Sequence, residues 1–314
     1  MVSETASGMY PLPDTPALAM HSFHTLQTLA QAATSTKPAM LAVIGKPVSH
    51  SASPQIHQPA LDALGIHATY IRLEVDPGNL REAFAMMAGL GFIGCNVTVP
   101  HKFEALESCT EVSAQAQLLG AVNTVIFKDN MIIGYNTDGP GFRQAISDSF
   151  GLELARSKTV ILGAGGGAGQ AIATQCALEK PTELVLVNRN VTKVEALAKR
   201  LRTMSPSTKI LTFSFADTYL RRHCQNADLI VQATSLGLKE TDEQVIPEDY
   251  FTTASRAYDT IYQPPETPFL AAAQRAGCKT DNGLSLLIQQ GAIAFQHWFP
   301  GSDPLPQMRK AVGG

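Results

Sequence analysis

No stretch of this chain approaches the ~20 consecutive apolar residues that a membrane-spanning helix needs; its longest apolar runs are strand-sized. The N-terminus lacks the charged, then apolar, then small-residue order of a secretory signal. Charge of one sign is missing too. The 24 Lys and Arg stand against 27 Asp and Glu, a formal net charge of −3 with no long basic run, so neither a nucleic acid nor an anionic membrane surface is the expected partner. Cysteine is sparse: Cys95, Cys109, Cys176, Cys224 and Cys278 are odd in number and form no C-x-x-C pair. That argues against a disulfide framework or a zinc site and reads as reduced thiols in a cytosolic protein. Charged side chains are scarce in residues 1–36, a Ser-, Thr-, Ala- and Pro-rich segment. It reads as a flexible leader carrying a short helix over 17–33, with no support for an organelle transit peptide.

What is present is enough apolar material for two cores. Of 314 residues, 45% are apolar, and domains of ~100–200 residues make two the expectation. Strand-like runs at 41–45, 68–75 and 92–99 alternate with two helical stretches. In the first, over 53–64, Ser53-Pro54 reads as an N-cap followed by Pro at the first helical position, and Gly65 as the stop. In the second, over 79–90, Leu80, Phe84, Met87 and Leu90 share a face. This βαβαβ unit implies a parallel sheet. Short helical pieces near 103–106 and 113–119 follow. Strands at 122–127 and 131–135 flank Lys128-Asp129-Asn130, a hairpin signal, and a helix near 141–150 leads onward. The second half alternates strands at 158–162, 183–187, 210–213, 228–233 and 256–261 with helices, the last two at 269–276 and 284–298. The expected fold is α/β in two domains: an N-terminal α/β unit and a Rossmann-like, doubly wound second domain.

Between the strand at 158–162 and the next helix lies Gly163-Ala164-Gly165-Gly166-Gly167-Ala168-Gly169. A tight turn needs positive φ, bare backbone lets a pyrophosphate approach, and the helix N-terminus offers free N–H groups and the positive end of its dipole. No Gly-Lys-Ser/Thr follows, so this is not a P-loop. The second strand ends in Val187-Asn188-Arg189-Asn190, without the acid that NAD-specific folds use to bind the ribose 2′-hydroxyl. Arg189, with Lys193 a turn later, can instead meet a 2′-phosphate. NADP is therefore favoured, with NAD left open; the alternative is that both cations are solvated surface charges.

Four polar strings in the first half lie near strand ends, where open α/β sheets bind ligands. They are Gly45 to Pro54, containing His50-Ser51-Ala52-Ser53-Pro54; Asn96-Val97-Thr98-Val99-Pro100-His101-Lys102; Gly120-Ala121-Val122-Asn123-Thr124; and Asn136-Thr137-Asp138-Gly139. These resemble the H-S-x-S-P, N-V-T-x-P-x-K, G-A-x-N-T and N-T-D strings of the shikimate dehydrogenase family, including its quinate/shikimate branch. Asp259 to Pro264 with Thr267-Pro268 is similar to the family's D-x-x-Y-x-P…T-P segment, and Gly283 to Gln290, then Phe295 and Trp298, to its closing helix. The resemblance spans about residues 41–300. The chain departs from the family on the cofactor side. Its glycine loop is one residue longer, Gln232-Ala233-Thr234-Ser235-Leu236-Gly237-Leu238 stands for N-A-T-S-x-G-M, and Leu286 replaces a common methionine.

The resemblance implies reversible, NADP-linked oxidation of shikimate to 3-dehydroshikimate, a step in aromatic amino acid biosynthesis, by a cytoplasmic monomer or homodimer. Oxidising a secondary alcohol removes a proton as well as a hydride, so a general base must reach the hydroxyl oxygen. A partly buried lysine can serve. By resemblance Lys102 and Asp138 form the catalytic pair, and no metal is needed. Ser51 and Ser53 can donate to a carboxylate, while Asn96, Thr98, Asn123, Tyr262 and Gln290 suit ring hydroxyls. The cofactor would meet Gly163, Ala164, Gly165, Gly166, Gly167, Ala168, Asn188, Arg189, Lys193, Thr234, Ser235 and Gly283. Plainer readings stand beside these. Ser53 and Asp138 can be helix caps; Asn96, Thr98 and Asn123 can be sheet-end hydrogen bonders; Lys102 can be a surface cation; and His50, His57 and His101, to which the resemblance gives no role, read as structural or as supports behind the site. The expected boundaries are 1–137 with 283–314 for substrate and 138–282 for NADP. Rival functions are a quinate/shikimate dehydrogenase using NAD, a paralogue acting on a related ring acid, a nucleotide sensor without catalysis and, by fold alone, a methylene-tetrahydrofolate dehydrogenase.

Overall fold

The computed structural model describes residues 23–239 and 241–313. The first sheet contains β1 (Phe23–Thr25), β2 (Ala39–Gly45), β3 (Thr69–Glu74), β4 (Gly94–Val97), β5 (Glu111–Val112), β6 (Thr124–Lys128) and β7 (Met131–Tyr135), in the order β1-β3-β2-β4-β6-β7-β5. The central strands β3, β2 and β4 are parallel, as the βαβαβ pattern requires. The hairpin β6–β7 then adds antiparallel to β4, with Asn96 opposite Thr124.

One expectation for the first half is corrected by β1. Residues 23–25 pair in parallel with β3, and the helix that follows is Leu29–Ala33, with Leu29 buried in the first core. This part of the supposed leader is therefore ordered: Leu29 and Ala32 have apolar surface to bury, and the edge of β3 has free backbone groups to satisfy. The predicted helix at 17–33 is shortened accordingly, and its stretch 17–22 lies outside the described residues.

The second sheet is wholly parallel: β8 (Lys158–Leu162), β9 (Glu183–Val187), β10 (Lys209–Phe213), β11 (Leu229–Gln232), β12 (Arg256–Asp259) and β13 (Lys279–Asn282), in the order β10-β9-β8-β11-β12-β13. Strand order reverses beside β8, so the crevice at its carboxyl end is where a doubly wound sheet binds its ligand. The edge strand β13 has the polar sequence Lys-Thr-Asp-Asn, which carries no strand pattern; pairing with β12 holds it.

Two helices connect the halves. Asp138–Phe150 puts Phe142, Ile146 and Phe150 into the core beneath the second sheet. Gly283–Trp298 returns to the first sheet, where Ile288, Ala292, Phe295 and Trp298 pack with Leu41, Val43, Ile56 and Tyr70. The helices touch backbone to backbone: a Cβ on Gly141 would lie 2.7 Å from the Gln290 nitrogen.

Candidate active site

Two local corrections at helix starts decide what the polar strings can do. Ser53 is not a cap. The N-cap of Ser53–Ala63 is Ala52, and Ser53 occupies the first helical turn. Its hydroxyl instead accepts from Ser51 Oγ at 3.2 Å, and Ser51 Oγ also accepts from the Ser53 backbone nitrogen at 3.3 Å. Asp138 is likewise spared a capping role. Asn136 Oδ1 accepts from the backbone N–H groups of Asp138 and Gly139 at 3.1 and 3.3 Å. Satisfying those orphan donors with Asn136 leaves the Asp138 carboxylate for Lys102, whose Nζ donates to Oδ2 at 2.7 Å. The pair keeps 29% and 18% side-chain exposure, so it is sheltered yet open to solvent.

A buried polar network adjoins this pair. Tyr70 donates its phenol proton to Asn96 Oδ1 at 2.6 Å. Asn96 Nδ2 reaches Thr124 Oγ1 at 3.2 Å and the Asn123 carbonyl at 3.4 Å. Asn123 Oδ1 accepts from the Thr137 backbone nitrogen at 2.8 Å, and its Nδ2 donates to Thr137 Oγ1 at 3.1 Å. Thr137 Oγ1 lies 3.5 Å from Gln290 Oε1, and Gln290 Nε2 donates to the Leu287 carbonyl at 2.9 Å. Such groups are tolerated inside the protein because each is partnered.

Further predicted residues converge on the same end of the sheet. Thr98 follows β4 and packs its methyl against Gly45, where a Cβ would lie 2.6 Å away. Tyr262, from the loop after β12, reaches the Ala52 backbone and stands beside the Arg72 guanidinium; burial pushes its phenol up. Arg72 also donates to the Ser51 carbonyl at 2.9 Å, bracing the serine turn. The loop carrying Tyr262 is anchored by Asp259, which accepts from Thr267 Oγ1 at 2.6 Å and the Ile261 nitrogen at 2.9 Å, and whose carboxyl burial raises to about 6.

Two of the three histidines near the polar strings are held inside the protein. His101 is buried between Glu104 at 3.0 Å and the Val75 carbonyl at 2.8 Å. His57 is fully buried, and burial drives its imidazole down to about 3. It packs flat on Tyr70, with ring centroids 4.5 Å apart and planes within 2°. His50 is exposed.

On the second sheet, Gly163 holds φ 87° at the carboxyl end of β8, and its nitrogen and that of Ala164 donate to the Val187 carbonyl. Ala164 is buried in the core. A Cβ on Gly165 would meet the Asn188 carboxamide at 2.7 Å, whereas one on Gly167 would meet nothing within 4 Å. The loop thus leaves open space before the N-terminus of helix Gly167–Leu178, as a pyrophosphate requires, and Ala168 lies in its first turn. Thr234 closes the other side: a Cβ on Gly163 would lie 2.7 Å from its methyl, while Ser235 is exposed. Arg189 and Lys193 are both exposed beyond Asn188. Gly283 differs from its companions. Its Cα packs against the Thr260 backbone, where a Cβ would collide, so the structure shows it as a close-packing point.

Two of the departures from the family strings are accommodated locally. Gln232 folds back on its own loop, donating to the Leu236 carbonyl at 2.8 Å and accepting from the Thr234 nitrogen. Leu286 packs against the core beneath the second sheet. Tyr70, Thr124, Asn136 and Thr137 were not singled out as site residues from sequence. Three lie inside the quoted strings, but Tyr70 lies near the start of β3, where nothing distinguishes it from a core tyrosine.

A doubly wound sheet with a glycine-shaped crevice, joined to a second α/β unit that carries a lysine–carboxylate pair, defines the class of two-domain, dinucleotide-dependent oxidoreductases. Residues 43–125 match the family model described as shikimate dehydrogenase substrate binding domain, and residues 144–255 the model described as shikimate / quinate 5-dehydrogenase. The shikimate dehydrogenase (NADP(+)) of Methanopyrus kandleri is 37% identical over 275 residues, covering 87% of this chain and 94% of the relative. A solved shikimate dehydrogenase in complex with NADP+ superposes with a TM-score of 0.81 at 34% identity, covering 88% of this chain and 96% of that one. Shikimate 5-dehydrogenase from Listeria monocytogenes, in complex with shikimate and NAD, gives 0.79 at 30% identity, with 87% and 96% covered. The chain belongs to the shikimate dehydrogenase family.

Proposed function

We propose that this protein catalyses the reversible, NADP-linked oxidation of shikimate to 3-dehydroshikimate. The observation that carries the reading is the 2.7 Å Lys102–Asp138 pair set beside a buried network of neutral hydrogen-bonding side chains. A carboxylate alone would accept the substrate's hydroxyl hydrogen bond. The pair adds a nitrogen that takes the departing proton and a carboxylate that holds the resulting ammonium in place. Ser51 and Ser53 donate to the substrate carboxylate. Asn96, Thr98, Asn123, Tyr262 and Gln290 orient the ring hydroxyls, so that only one carbon faces the crevice. The glycine loop Gly163 to Ala168, with Asn188 and Thr234, would hold the dinucleotide, and Arg189 and Lys193 its 2′-phosphate. When bound, the nicotinamide supplies the hydride acceptor.

The substrate unit is taken as 1–137 with 283–314 and the NADP unit as 138–282, closing on each other to exclude water. The five cysteines are all free thiols, which suits a cytoplasmic enzyme. The reading requires neither a nucleic acid nor a membrane, and it holds for a monomer or a homodimer. Among the described residues, no helix is long and apolar enough to cross a membrane.

The test is cofactor reduction at 340 nm by the wild type and Lys102→Ala, with shikimate and quinate each paired with NADP and NAD. Rapid NADP reduction by shikimate, lost by at least ~10²-fold in the variant, is the expected result. Preference for quinate with NAD would move the protein to the quinate branch. Tight cofactor binding without turnover of any pair would overturn the assignment.

A further inference from the structure

Two loops leave the carboxyl end of the second sheet side by side. Residues 233–238 follow β11 and carry Thr234 and Ser235, read above as facing the cofactor. Residues 260–267 follow β12 and carry Tyr262, read above as facing the substrate. The two meet on one side chain. Asp259, the last residue of β12, is fully buried. Its Oδ1 accepts from the Ile261 nitrogen at 2.9 Å and fixes the start of the substrate loop. Its Oδ2 accepts from Thr267 Oγ1 at 2.6 Å and fixes the end. The cofactor loop closes on the same residues. Gly237 turns with φ 108° so close to Thr267 that a Cβ on it would lie 3.1 Å from Thr267 Cβ. The Gln232 carboxamide, which clasps that loop at Thr234 and Leu236, also reaches Asp259. The Thr260 nitrogen donates to the Gln232 carbonyl at 2.9 Å.

Both fastenings of the substrate loop need an acceptor. The Ile261 N–H can only donate, and the Thr267 hydroxyl, already accepting from the Leu270 nitrogen at 3.3 Å, has its proton to give. An ionised carboxylate meets both, and such charge-assisted bonds are about twice as strong as neutral ones. Protonation removes the charge from both bonds and puts a donor where an acceptor is wanted. Burial raises this carboxyl to about 6, so the change falls between pH 7 and pH 5. Thr267, Ile261 and Gln232, which face it from the helix Pro268–Arg275, its own loop and β11, are all neutral. Its titratable neighbours are Tyr258, whose phenol burial pushes up out of that range, and Asp281 on β13, which acts on Tyr258.

We propose that the Asp259 carboxylate is a positioning residue that fastens the substrate loop to the cofactor loop, so that shikimate and NADP are both fully held only while it is ionised. The inference rests on the shikimate reading above. The effect on stability has the opposite sign. A carboxyl raised in the folded state holds its proton more tightly there than in the unfolded chain, so this group adds stability as pH falls through about 6. Binding is lost over the same interval.

The experiment measures kcat, both KM values and Tm between pH 7 and pH 5 for wild type, Asp259→Asn, Thr267→Val and Thr267→Ser. If only the ionised form holds the loop, wild-type KM for shikimate should rise about 10-fold over that interval, following the ionised fraction. At pH 7 Asp259→Asn should already show a KM for shikimate raised ~10-fold and one for NADP raised ~3-fold, with kcat within ~3-fold. Its KM for shikimate should then stay flat as pH falls. Relative to this variant, wild type should gain in Tm on acidification while it loses affinity, which a merely structural carboxyl would not do. Thr267→Val leaves the carboxylate but removes the hydroxyl that ties it. It should raise both KM values in the same way, which keeps the test open if the asparagine variant does not fold. Thr267→Ser restores the hydroxyl and should restore both. A KM that climbs equally in wild type and Asp259→Asn overturns the proposal. So does a lowered Tm with both KM values unmoved, or a rise confined to one of the two ligands. Wild type that oxidises no shikimate overturns the functional reading itself, a separate outcome.

Discussion

The carboxyl ends of the two sheets are built for recognition in opposite ways. At the first, the side chains proposed to read the substrate are each held by another: Tyr70 holds Asn96, Thr124 and Thr137 hold Asn123, and Asn136 frees Asp138 for Lys102. At the second, the proposed cofactor surface is largely bare backbone around Gly165 to Gly167, with exposed cations at Arg189 and Lys193. A hydroxylated ring calls for dipoles of known direction, and a dipole keeps its direction only if a second layer of hydrogen bonds restrains it. A pyrophosphate calls for space and unpaired N–H groups, which are best provided by the absence of side chains. The first design is therefore sensitive to lost hydrogen bonds, and the second to added atoms.

The largest effect should come from adding one atom to the second region. A Cβ on Gly169 would run into the Gly163 carbonyl oxygen and lie 2.8 Å from Ala164 Cα, both backbone and unable to swing aside. Gly169→Ala is expected to cost about 3 kcal/mol of stability and more than ~10-fold in NADP affinity, read by thermal melts and cofactor fluorescence. Gly167→Ala is the control, because its Cβ meets nothing within 4 Å. It should leave the melt unchanged and weaken NADP alone. Equal melts for both variants would mean that the two glycines do not differ in the way their surroundings imply.

The same contrast explains how much could be read in advance. The glycine loop and the four polar strings were legible because each packs its chemistry into a few consecutive residues. So was the alternation of strands and helices that gives two α/β units. What escaped depends on partners distant in sequence. Tyr70 meets Asn96 across 26 positions, and on β3 it stands in a run of buried residues that makes it look like ordinary core. The polar edge strand β13 exists only through pairing with β12. Ser53 followed by Pro54 carries a capping signature, yet the helix begins with Ser53 itself, and its hydroxyl turns to Ser51. Residues 23–33 read as leader because composition does not reveal that β3 has an edge to be covered.

A smaller effect sharpens the comparison through pH. His57 is buried in the first region with its imidazole lowered from 6.5 to about 3. The unfolded chain binds a proton as pH falls below about 6.5, while the folded ring refuses it until about 3. Stability is therefore fully present above that window and declines across it, by about 1.4 kcal/mol per pH unit. Between pH 7 and pH 5 this group alone should remove about 2 kcal/mol, measurable as a drop in the urea midpoint. His57→Phe keeps an aromatic face for Tyr70 and has no proton to bind, so its midpoint should fall less over the same interval, whatever its stability at pH 7. Parallel slopes for the two proteins would show that the ring is reached by solvent and that the stack does not exclude the charged form.

The smallest effect belongs to the exposed cations, and it tests whether the second region discriminates at all. Arg189 follows β9 where an acid would bind a ribose hydroxyl, and its side chain is exposed. A charge in solvent contributes little unless a ligand brings its partner, and even then salt screens it. Arg189→Ala should thus leave the melt untouched and raise KM for NADP by about five-fold, about 1 kcal/mol, with the loss shrinking as salt is added. KM for NAD should stay where it is, because that cofactor lacks the 2′-phosphate. If both cofactors weaken together, Arg189 acts on the adenine face they share, and discrimination must come from Lys193 or from the shape of the crevice. If neither changes, the cation is a solvated bystander and the second region selects its dinucleotide by backbone alone.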